Sequence, residues 1–538
     1  MSSRPVAGEA GSSIASSHPG HRTGRVHPAF RTEIAMSEAK TADAPPRGDV
    51  PERGLLIGGK SVPASSGKLA DDVCPWDGEL YARVAAGTPA DITRAADAAQ
   101  AAFPGWSQLG AFERREIFLR AADVMASRGE EAIVALARET GASRLFAEFN
   151  LAFCIQVLRE AAAACTRPVG ELLPTSIPGA YSMAQRIPFG VVGAISPWNA
   201  PLVLGIRSIA IPLAVGNTVV MKPSEDAPVT CGLLLADVLT DAGLPAGVLN
   251  VVTNDLADAG EVVAALIADP RVRMVNFTGS TGVGRIIGVQ AAQHLKPAVL
   301  ELGGKNPLII LEDADPDLAV DAAVFGAFMN SGQLCMSTDR IIIHQSLVER
   351  FIPRYVERVT ALPAGDPADP ATIVGPLINR RGAQRVSALV KDAAAKGATL
   401  LTGDGAIGGP NGTLIRPVVL TDVTTDMDIF AAEIFGPATV IHPVDSAEAA
   451  IELANDTEYG LTGGVISRDL NAALNVVARV RSGIIHVNDQ GIADEPMAPF
   501  GGVQNTGYGR FGGTAGIESF TEQRWVTIQH TGRPAYPF

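Results

Sequence analysis

The chain has 538 residues, of which 47% are apolar and 19% are charged, and its formal net charge is −14 at pH 7. This length exceeds what one hydrophobic core usually holds, so two or three domains of an ordinary globular protein are expected. The acidic balance repels phosphate backbones and argues against nucleic acid as a partner, and no apolar run is long enough to predict a membrane span.

The first segment of the chain has an unusual composition. Residues 1–50 are rich in Ser, Pro, Gly, Ala and His and show no apolar periodicity, which predicts a disordered tail. The arginines of residues 1–35 are faintly similar to those of a transit peptide. The simpler interpretation is that the native chain begins at Met36 and that the preceding stretch is a start-site extension.

Regular elements are predicted from about residue 52 onward. Apolar residues at helical spacing predict helices over 91–102 and 112–140. Short β-branched runs then predict strands that alternate with helix-length segments such as 229–242, at 190–196, 217–222, 247–252, 273–279 and 298–302. A second α/β region has predicted strands at 307–311, 340–344, 416–420, 438–442 and 482–488. This alternation indicates βαβ units with parallel sheets buried on both faces.

The cysteines are odd in number, widely spaced and without a C-x-x-C pair: Cys74, Cys154, Cys165, Cys231 and Cys335. The pattern predicts neither a disulfide framework nor a metal site and favours a reducing cytoplasm. Three of them lie among apolar residues and are interpreted as small buried side chains: Cys154, Cys165 and Cys231. Small polar neighbours around Cys335 instead predict an accessible thiol, as a nucleophile requires.

Polar motifs follow several of the predicted strands, where α/β sheets bind ligands. The glycine-rich turn 277–284 could bring backbone N–H groups and a helix N-terminus to a phosphate, although its spacing departs from G-x-G-x-x-G. Lys222 and Glu225 could be ordinary surface charges, but a strand end favours contacts with ribose hydroxyls. Glu301 begins a glycine turn after an apolar strand, and its burial would raise its pKa toward the range of a general base. The structural alternative for Glu301 is an ion pair with Lys305.

Seven motifs in this order resemble those of the aldehyde dehydrogenase superfamily over about residues 52–530: Pro197–Asn199, Lys222–Glu225, Phe277–Gly284, Leu300–Lys305, Gly332–Cys335, Glu433–Pro437 and Pro499–Gly502. The resemblance implies an α/β fold with a Rossmann-like NAD-binding domain (51–170 and 189–302) and an α/β catalytic domain (303–505). A β-flap (171–188 and 515–535) would join the subunits of a homodimer or homotetramer.

The same resemblance assigns a role to each matched residue. Cys335 would attack the aldehyde, Asn199 and the Cys335 backbone N–H would hold the oxyanion, and Glu301 would activate the water that hydrolyses the thioester. NAD is the expected cofactor and NADP is less favoured, because Glu225 would repel a 2′-phosphate. The expected cofactor contacts are Ser196, Trp198, Lys222, Glu225, Gly279, Ser280, Gly284, Leu302, Glu433 and Phe435. One departure is the stretch 253–256, where many relatives carry glycine, and it leaves the pyrophosphate contacts of this loop open.

The substrate is expected to be an aromatic aldehyde. The stretches 205–217 and 507–529 are most similar to the branch of salicylaldehyde, vanillin and benzaldehyde dehydrogenases. Small residues beside Asn199 would widen the entrance for a flat ring, and the expected pocket residues are Ala200, Leu204, Gly205, Met336 and Phe500. Alternatively, Ala200 and Gly205 serve helix packing, and the substrate is an aliphatic aldehyde or semialdehyde. Three other functions are less well supported. A cysteine hydrolase would need a histidine base in a recognisable motif, which the sequence lacks, and a CoA-acylating dehydrogenase would not need Glu301. The presence of Cys335 argues against a non-catalytic protein.

Overall fold

The computed structural model describes residues 50–532 and 536–538. The predicted disordered tail, apart from residue 50, therefore lies outside the described residues. The elements up to residue 188 are β1 (Glu52–Arg53), β2 (Leu55–Ile57), β3 (Lys60–Val62), β4 (Leu69–Val73), β5 (Leu80–Ala85), α1 (Pro89–Gln108), α2 (Ala111–Ser127), α3 (Gly129–Thr140), α4 (Arg144–Ala164), β6 (Gly170–Leu173) and β7 (Ala180–Pro188).

Capping residues in the sequence explain where these helices begin. Thr88 precedes Pro89 at the start of α1, and its backbone N–H donates to the Asp91 carboxylate at 3.0 Å. The single helix predicted over 112–140 is wrong, because α2 ends before Arg128 and α3 begins at Gly129. Arg128 leaves the helical conformation at φ −98° and ψ 19°, and glycine is a poor helix former at the next position.

The next segment alternates strands and helices as predicted. Its elements are β8 (Val191–Ile195), α5 (Pro201–Ala214), β9 (Thr218–Lys222), α6 (Leu234–Asp241), β10 (Leu249–Val251), α7 (Ala259–Ala268), β11 (Val272–Thr278), α8 (Thr281–Gln293) and β12 (Ala298–Glu301). A π-helical turn (Val229–Leu233) precedes α6. Strands β8 to β12 pair in parallel within an eight-stranded sheet of order β12-β11-β8-β9-β10, which β2 and β3 extend at one edge.

The second α/β region contains β13 (Asn306–Ile310), α9 (Pro316–Phe328), β14 (Thr338–His344), α10 (Val348–Thr360), α11 (Arg380–Ala395), β15 (Thr399–Thr402), β16 (Ile407–Gly408), β17 (Leu414–Ile415), β18 (Val418–Thr421), α12 (Asp428–Ala431), β19 (Ala438–Val444), α13 (Ala447–Asn455), β20 (Gly464–Ile466), α14 (Leu470–Val477) and β21 (His486–Val487). Its seven-stranded sheet has the order β15-β18-β19-β14-β13-β20-β21. All pairs are parallel except β15 with β18.

The chain then returns to the first sheet and to a small third one. The last elements are β22 (Gly507–Tyr508), α15 (Gly513–Ser519) and β23 (Thr521–Gln529). β22 pairs with β12 at the other edge of the eight-stranded sheet, although it lies far along the chain. β23 pairs antiparallel with β7, and β6 completes a three-stranded sheet on the other side of β7.

The central strands of both large sheets are buried on both faces, as their unbroken apolar sequence predicts. Helices α1, α7 and α8 cover part of the first sheet, where Ile92, Leu266 and Ile287 are almost fully buried. Within residues 50–532 and 536–538, none of the helices combines the length and apolar character needed to cross a bilayer.

Candidate active site

A cleft of about 540 Å³ opens at the carboxyl ends of β8 and β11. The strand order reverses between these two neighbours, since β9 and β10 extend the sheet on one side and β12 extends it on the other. Such a switch point is where open α/β sheets bind ligands. The predicted site residues that line the cleft are Trp198, Asn199, Gly279, Ser280, Leu302, Cys335, Glu433 and Phe435.

The loop before Cys335 has an unusual backbone. Asn330 and Ser331 have φ values of +50° and +57°, and Gly332 follows with +70°. A Cβ at Gly332 would collide with the carbonyl oxygen of Gly436, so only glycine fits there. The Ser331 hydroxyl donates to the Gly375 carbonyl at 3.0 Å, and this bond helps to fix the loop.

The segment that ends in Cys335 is tied to the neighbouring strands. The Asn306 side chain donates to the carbonyls of Cys335 at 2.7 Å and Ser337 at 2.9 Å. The Cys335 side chain is partly exposed at the cleft, whereas Cys154, Cys165 and Cys231 are buried as predicted. The thiol at position 335 therefore differs from the other three in its access to a ligand.

Asn199 lies beside this loop and is connected to it in both directions. Its Nδ2 donates to the Gln333 carbonyl at 3.0 Å, and its own carbonyl accepts from the Asn330 amide at 2.8 Å. Gln333 is fixed in turn, because its Oε1 accepts from the backbone N–H of Ile378 at 2.9 Å. Among the described residues, only one of the two Nδ2 hydrogens of Asn199 is used in this way, and both Asn199 and Cys335 line the cleft.

The Cys335 thiol is held in its neutral form. The pKa of this thiol is raised to about 12, mainly by burial. The Glu433 and Glu301 carboxylates also raise it, and each has a larger effect than the Arg207 guanidinium, which lowers it. The thiolate is the reactive form of a cysteine, so attack requires that the proton be removed.

Glu301 ends β12 and is almost fully buried, with 2% of its surface exposed. Neither carboxyl oxygen has a hydrogen-bond partner among the described residues. Burial therefore raises its pKa well above the ordinary value, against the attraction of Arg510 and Arg207. Gly501 leaves room for this carboxyl, since a Cβ there would lie 2.5 Å from Oε1.

The alternative partner for Glu301, Lys305, is engaged elsewhere. The Lys305 ammonium forms an ion pair with Asp339 at 3.1 Å and donates to the carbonyls of Ile429 and Ala432. The ion pair of Glu301 with Lys305 that the sequence left open is therefore absent, and the carboxyl of Glu301 stays free for chemistry.

Glu433 faces the glycine turn that follows Glu301. Its Oε1 accepts from the Gly304 backbone N–H at 3.0 Å, and a Cβ at Gly303 would lie 2.6 Å from its Oε2. Burial raises the pKa of Glu433 to about 7. The Arg385 guanidinium donates to the backbone carbonyl of Glu433 at 3.0 Å and helps to hold the backbone of this residue in place.

Aromatic rings and a helix N-terminus line the remaining walls of the cleft. Trp198 and Phe435 form an edge-to-face pair with ring centroids 5.6 Å apart. Ser280 caps α8, and Gly279 and Gly282 line the cleft at the same helix end. Backbone N–H groups and the helix dipole at this end suit an anionic group.

Four of the expected cofactor contacts lie behind the lining of the cleft: Ser196, Lys222, Glu225 and Gly284. Gly284 allows α8 to pack on Leu302, because a Cβ there would collide with the leucine side chain. The Ser196 hydroxyl donates to the Leu204 carbonyl at 3.4 Å. Lys222 and Glu225 form an ion pair just beyond the end of β9.

None of the expected substrate-pocket residues is among the side chains that line the cleft. Ala200 and Leu204 are buried at the start of α5, Phe500 is buried, and Met336 is partly exposed. Gly205 faces away from them, because a Cβ there would collide with the Cys231 carbonyl of the π-helical turn. For Gly205 the structure therefore favours helix packing, the alternative that the sequence left open.

Arg207, which lies outside the sequence motifs, packs beside Phe500. The Arg207 guanidinium lies 4.2 Å from the Phe500 ring centroid and 5.6 Å from that of Phe153. It forms a buried ion pair with Asp494, so its charge is already neutralised. Arg207 and Phe500 also line a narrow crevice that is bordered by Glu160 and Glu495.

Several residues that line the cleft lie outside the sequence motifs: Asp226, Asn379, Arg381, Arg385 and Tyr459. Asn379 and Arg385 reach the cleft from the start of α11, which the sequence places far from every motif. Among the residues that the structure describes, no cluster of three or more His, Cys, Asp and Glu side chains is arranged to hold a metal ion.

The chain is similar to known proteins over most of its length. The model of the aldehyde dehydrogenase family matches residues 62–526. A vanillin dehydrogenase of Pseudomonas fluorescens is 48% identical over 489 residues, which cover 91% of this chain and 99% of that one. A benzaldehyde dehydrogenase [NAD(+)] of Pseudomonas putida is 39% identical and covers 88% of this chain and 95% of its own length.

The fold agrees with a solved structure. The crystal structure of a salicylaldehyde dehydrogenase from Pseudomonas putida G7, complexed with salicylaldehyde, has a TM-score of 0.87 and 42% identity. The match covers 91% of this chain and 100% of that one. The chain therefore belongs to the aldehyde dehydrogenase family. It is an oxidoreductase that acts on aldehydes, and the α/β fold with a dinucleotide-binding sheet is confirmed.

Proposed function

We propose that this enzyme oxidises an aromatic aldehyde to its carboxylic acid with NAD⁺, through a thioester on Cys335. The observation that carries the proposal is a partly exposed thiol in the cleft, Cys335, with the buried carboxyl of Glu301 close enough for its charge to act on that thiol. Neither oxygen of the Glu301 carboxyl has a hydrogen-bond partner among the described residues.

The residues of the cleft suit NAD. Gly279, Ser280 and the N-terminus of α8 would hold the pyrophosphate, and Glu433 with Phe435 would face the nicotinamide ribose and ring. An oxidised nicotinamide, when bound, supplies the hydride acceptor of the reaction. NAD⁺ is preferred over NADP⁺ because the Glu225 carboxylate would repel a 2′-phosphate. The relative named benzaldehyde dehydrogenase [NAD(+)] supports this choice.

The side chains around Cys335 account for the covalent steps. The Cys335 thiol first loses its proton to solvent water. The sulfur of the resulting thiolate then bonds to the aldehyde carbon, and the carbonyl oxygen becomes an alkoxide that accepts hydrogen bonds from the second Nδ2 hydrogen of Asn199 and the Cys335 backbone N–H. Loss of hydride from that carbon leaves a thioester. Glu301 then takes a proton from water, the hydroxide attacks the thioester, and the acid leaves as the Cys335 thiol is restored.

Two features of the chain support a ring-shaped substrate. Ala200, directly after Asn199, has only a methyl side chain, and the Phe500 ring with the Arg207 guanidinium over it forms a flat unit that borders a narrow crevice. A semialdehyde that carries a carboxylate gains little there, because Asp494 already neutralises Arg207 and Glu160 and Glu495 border the crevice. The names of the relatives, which are vanillin, benzaldehyde and salicylaldehyde dehydrogenases, support the same substrate class.

A substrate panel tests this proposal. We expect kcat/KM, followed by reduced-nicotinamide absorbance, to be higher for benzaldehyde, salicylaldehyde and vanillin than for hexanal and succinic semialdehyde. Ala200→Phe should reduce the values for the ring substrates and leave hexanal less affected. An advantage of about tenfold or more for the aliphatic aldehydes, about 1.4 kcal/mol in transition-state binding, would refute the aromatic assignment.

We also propose an assembly and a cellular compartment for the enzyme. The three-stranded sheet of β6, β7 and β23 exposes Leu172, Tyr181 and Trp525, which supports its use as a subunit contact in a homodimer or homotetramer.

The five unpaired cysteines support a reducing cytoplasm as the compartment.

A further inference from the structure

An asparagine stands beside the ion pair of Lys222 and Glu225. Asn254 follows β10, and Glu225 follows β9, the parallel neighbour of β10, so both lie at the same edge of the sheet. The Asn254 Nδ2 donates to the Glu225 Oε1 at 2.9 Å and to the Asp255 carbonyl at 2.8 Å. Asn254 belongs to the stretch 253–256, in which the sequence departs from many relatives, and no motif assigns it a role.

The contacts of Asn254 fix which way its amide points. Glu225 Oε1 and the Asp255 carbonyl can only accept hydrogen bonds, so the amide nitrogen faces both of them. The amide oxygen, Oδ1, therefore points elsewhere. Asn254 is only 3% exposed, and Oδ1 has no hydrogen-bond partner among the described residues. A buried acceptor without a donor costs free energy that a ligand hydroxyl would recover.

Glu225 is left with one free oxygen. Lys222 and Asn254 both bind its Oε1, so Oε2 has no donor among the described residues. At this edge of the sheet, just behind the lining of the cleft, two acceptors therefore lack a donor among the described residues: Glu225 Oε2 and Asn254 Oδ1. Asp226, the next residue in the chain, lines the cleft. The two hydroxyls of a ribose are the donors that such a pair of acceptors would take.

We propose that Asn254 is a specificity-determining residue that binds the adenosine ribose of the cofactor together with Glu225. Its Oδ1 accepts from the 2′-hydroxyl of the ribose, which a 2′-phosphate lacks, and its Nδ2 holds Glu225 so that Oε2 accepts from the other hydroxyl. A 2′-phosphate brings acceptor oxygens and negative charge to the same place, where the protein offers acceptors and a carboxylate. This inference rests on the proposed use of NAD⁺, and it adds a second residue to the selection against NADP⁺.

Binding of cofactor fragments tests the inference without turnover. Isothermal titration with ADP-ribose and with 2′-phospho-ADP-ribose gives the ratio of the two Kd values for each variant. We expect the wild-type protein to prefer ADP-ribose. Asn254→Ala should weaken ADP-ribose by about tenfold, the effect of one lost hydrogen bond to a buried or charged group, and weaken the 2′-phosphate form by less than about twofold. Asn254→Leu, which keeps the volume of the amide, should reduce the ratio in the same way.

A matched variant separates recognition from packing. Asn150 on α4 is also buried, donates to the Phe146 carbonyl at 3.0 Å and has an Oδ1 without a partner among the described residues. Asn150→Ala should therefore leave the Kd ratio unchanged. An unchanged ratio in both Asn254 variants, with wild-type preference intact, would overturn the role of Asn254 alone. Failure of the wild-type protein to bind ADP-ribose would overturn this inference and the proposed NAD⁺ dependence together.

Discussion

The thiol of Cys335 combines partial exposure with a strongly raised pKa. Its value of about 12 reflects burial and the nearby Glu433 and Glu301 carboxylates. A cysteine of this kind is protected from chance modification at neutral pH, because only the thiolate reacts. Reactivity must then be produced within the assembled site, where the proton can be removed.

Alkylation of the cofactor-free protein tests this view of Cys335. Because its pKa is about 12, the rate of labelling by iodoacetamide should still rise with pH beyond the ordinary thiol pKa of 9.0. Intact mass spectrometry measures the rate, and Cys335→Ala is the control, since the other four cysteines are buried. A rate that levels off at or below the ordinary thiol pKa would contradict the raised value.

Ionisation of Glu301 should make the rate of thioester hydrolysis depend on pH. Its pKa is raised well above the ordinary value by burial, so the carboxyl is protonated at low pH and cannot accept a proton from water. The rate of thioester hydrolysis should therefore increase as pH rises and Glu301 ionises. Rapid-quench measurement of acid release should show this increase in the wild-type enzyme and a much flatter profile in Glu301→Gln. Equal slopes in the two proteins would exclude Glu301 as the base.

Sequence motifs contain Asn199 and Cys335, which line the cleft, but not several of the side chains around them. Cys335, Glu301 and Asn199 stand in recognisable motifs, and the structure brings Asn199 and the Cys335 loop together through a hydrogen bond between residues 199 and 333. Arg385 and Asn254 could not be identified, because their contacts depend on how distant parts of the chain meet. The sequence around a single charged or amide residue outside a motif does not indicate which distant residue it will contact.

At the scale of elements, one buried carboxylate connects α3 to the turn before α6. Glu139 accepts from the backbone N–H groups of Val229 and Thr230 at 2.6 and 2.8 Å, which satisfies donors at the start of the π-helical turn. The same turn packs against α5 through Gly205. Glu139 therefore helps to hold the helices behind the substrate pocket.

Removal of this carboxylate should destabilise the fold. Glu139→Ala leaves two buried N–H groups without acceptors, at a cost of about 1–3 kcal/mol each in the free energy of unfolding. Glu131→Ala on the same helix is the control, because its ion pair with Arg128 is largely exposed and contributes at most about 1 kcal/mol. Chemical denaturation compares the two variants. A loss for Glu139→Ala no larger than that of the control would contradict the role of this contact.

Strands were predicted from the sequence more reliably than helix ends. The runs over 190–196, 217–222 and 273–279 correspond to β8, β9 and β11, because buried parallel strands carry unbroken β-branched segments. The break between α2 and α3 was missed, since helical periodicity continues across Arg128. The pairing of β22 with β12 was also beyond prediction, because two residues carry no pattern of their own.

At the scale of the whole molecule, the sheet of β6, β7 and β23 leaves apolar side chains uncovered. Leu172 is 72% exposed and Trp525 is 74% exposed. Exposed apolar strands of this kind mark a protein contact. The role in assembly proposed for this sheet would give these side chains a partner in a second subunit.

A charge on this sheet should weaken the assembly. Leu172→Glu places a carboxylate in the proposed contact, so the molar mass from light scattering should shift toward that of one chain. Leu470→Glu is the matched control, because Leu470 on α14 is 58% exposed and lies outside this sheet. An unchanged molar mass for Leu172→Glu would show that the sheet does not join subunits.

The most direct test of the whole account is the intact mass of Glu301→Gln after mixing with vanillin and NAD⁺. The proposed chemistry predicts one reduced cofactor per site and a mass gain of one aroyl group in place of the thiol hydrogen on Cys335. The adduct should persist in this variant, should clear in the wild-type enzyme, and should be absent in Cys335→Ala. Steady turnover by Glu301→Gln without an adduct, or an adduct on another residue, would contradict the assignment of Cys335 and Glu301.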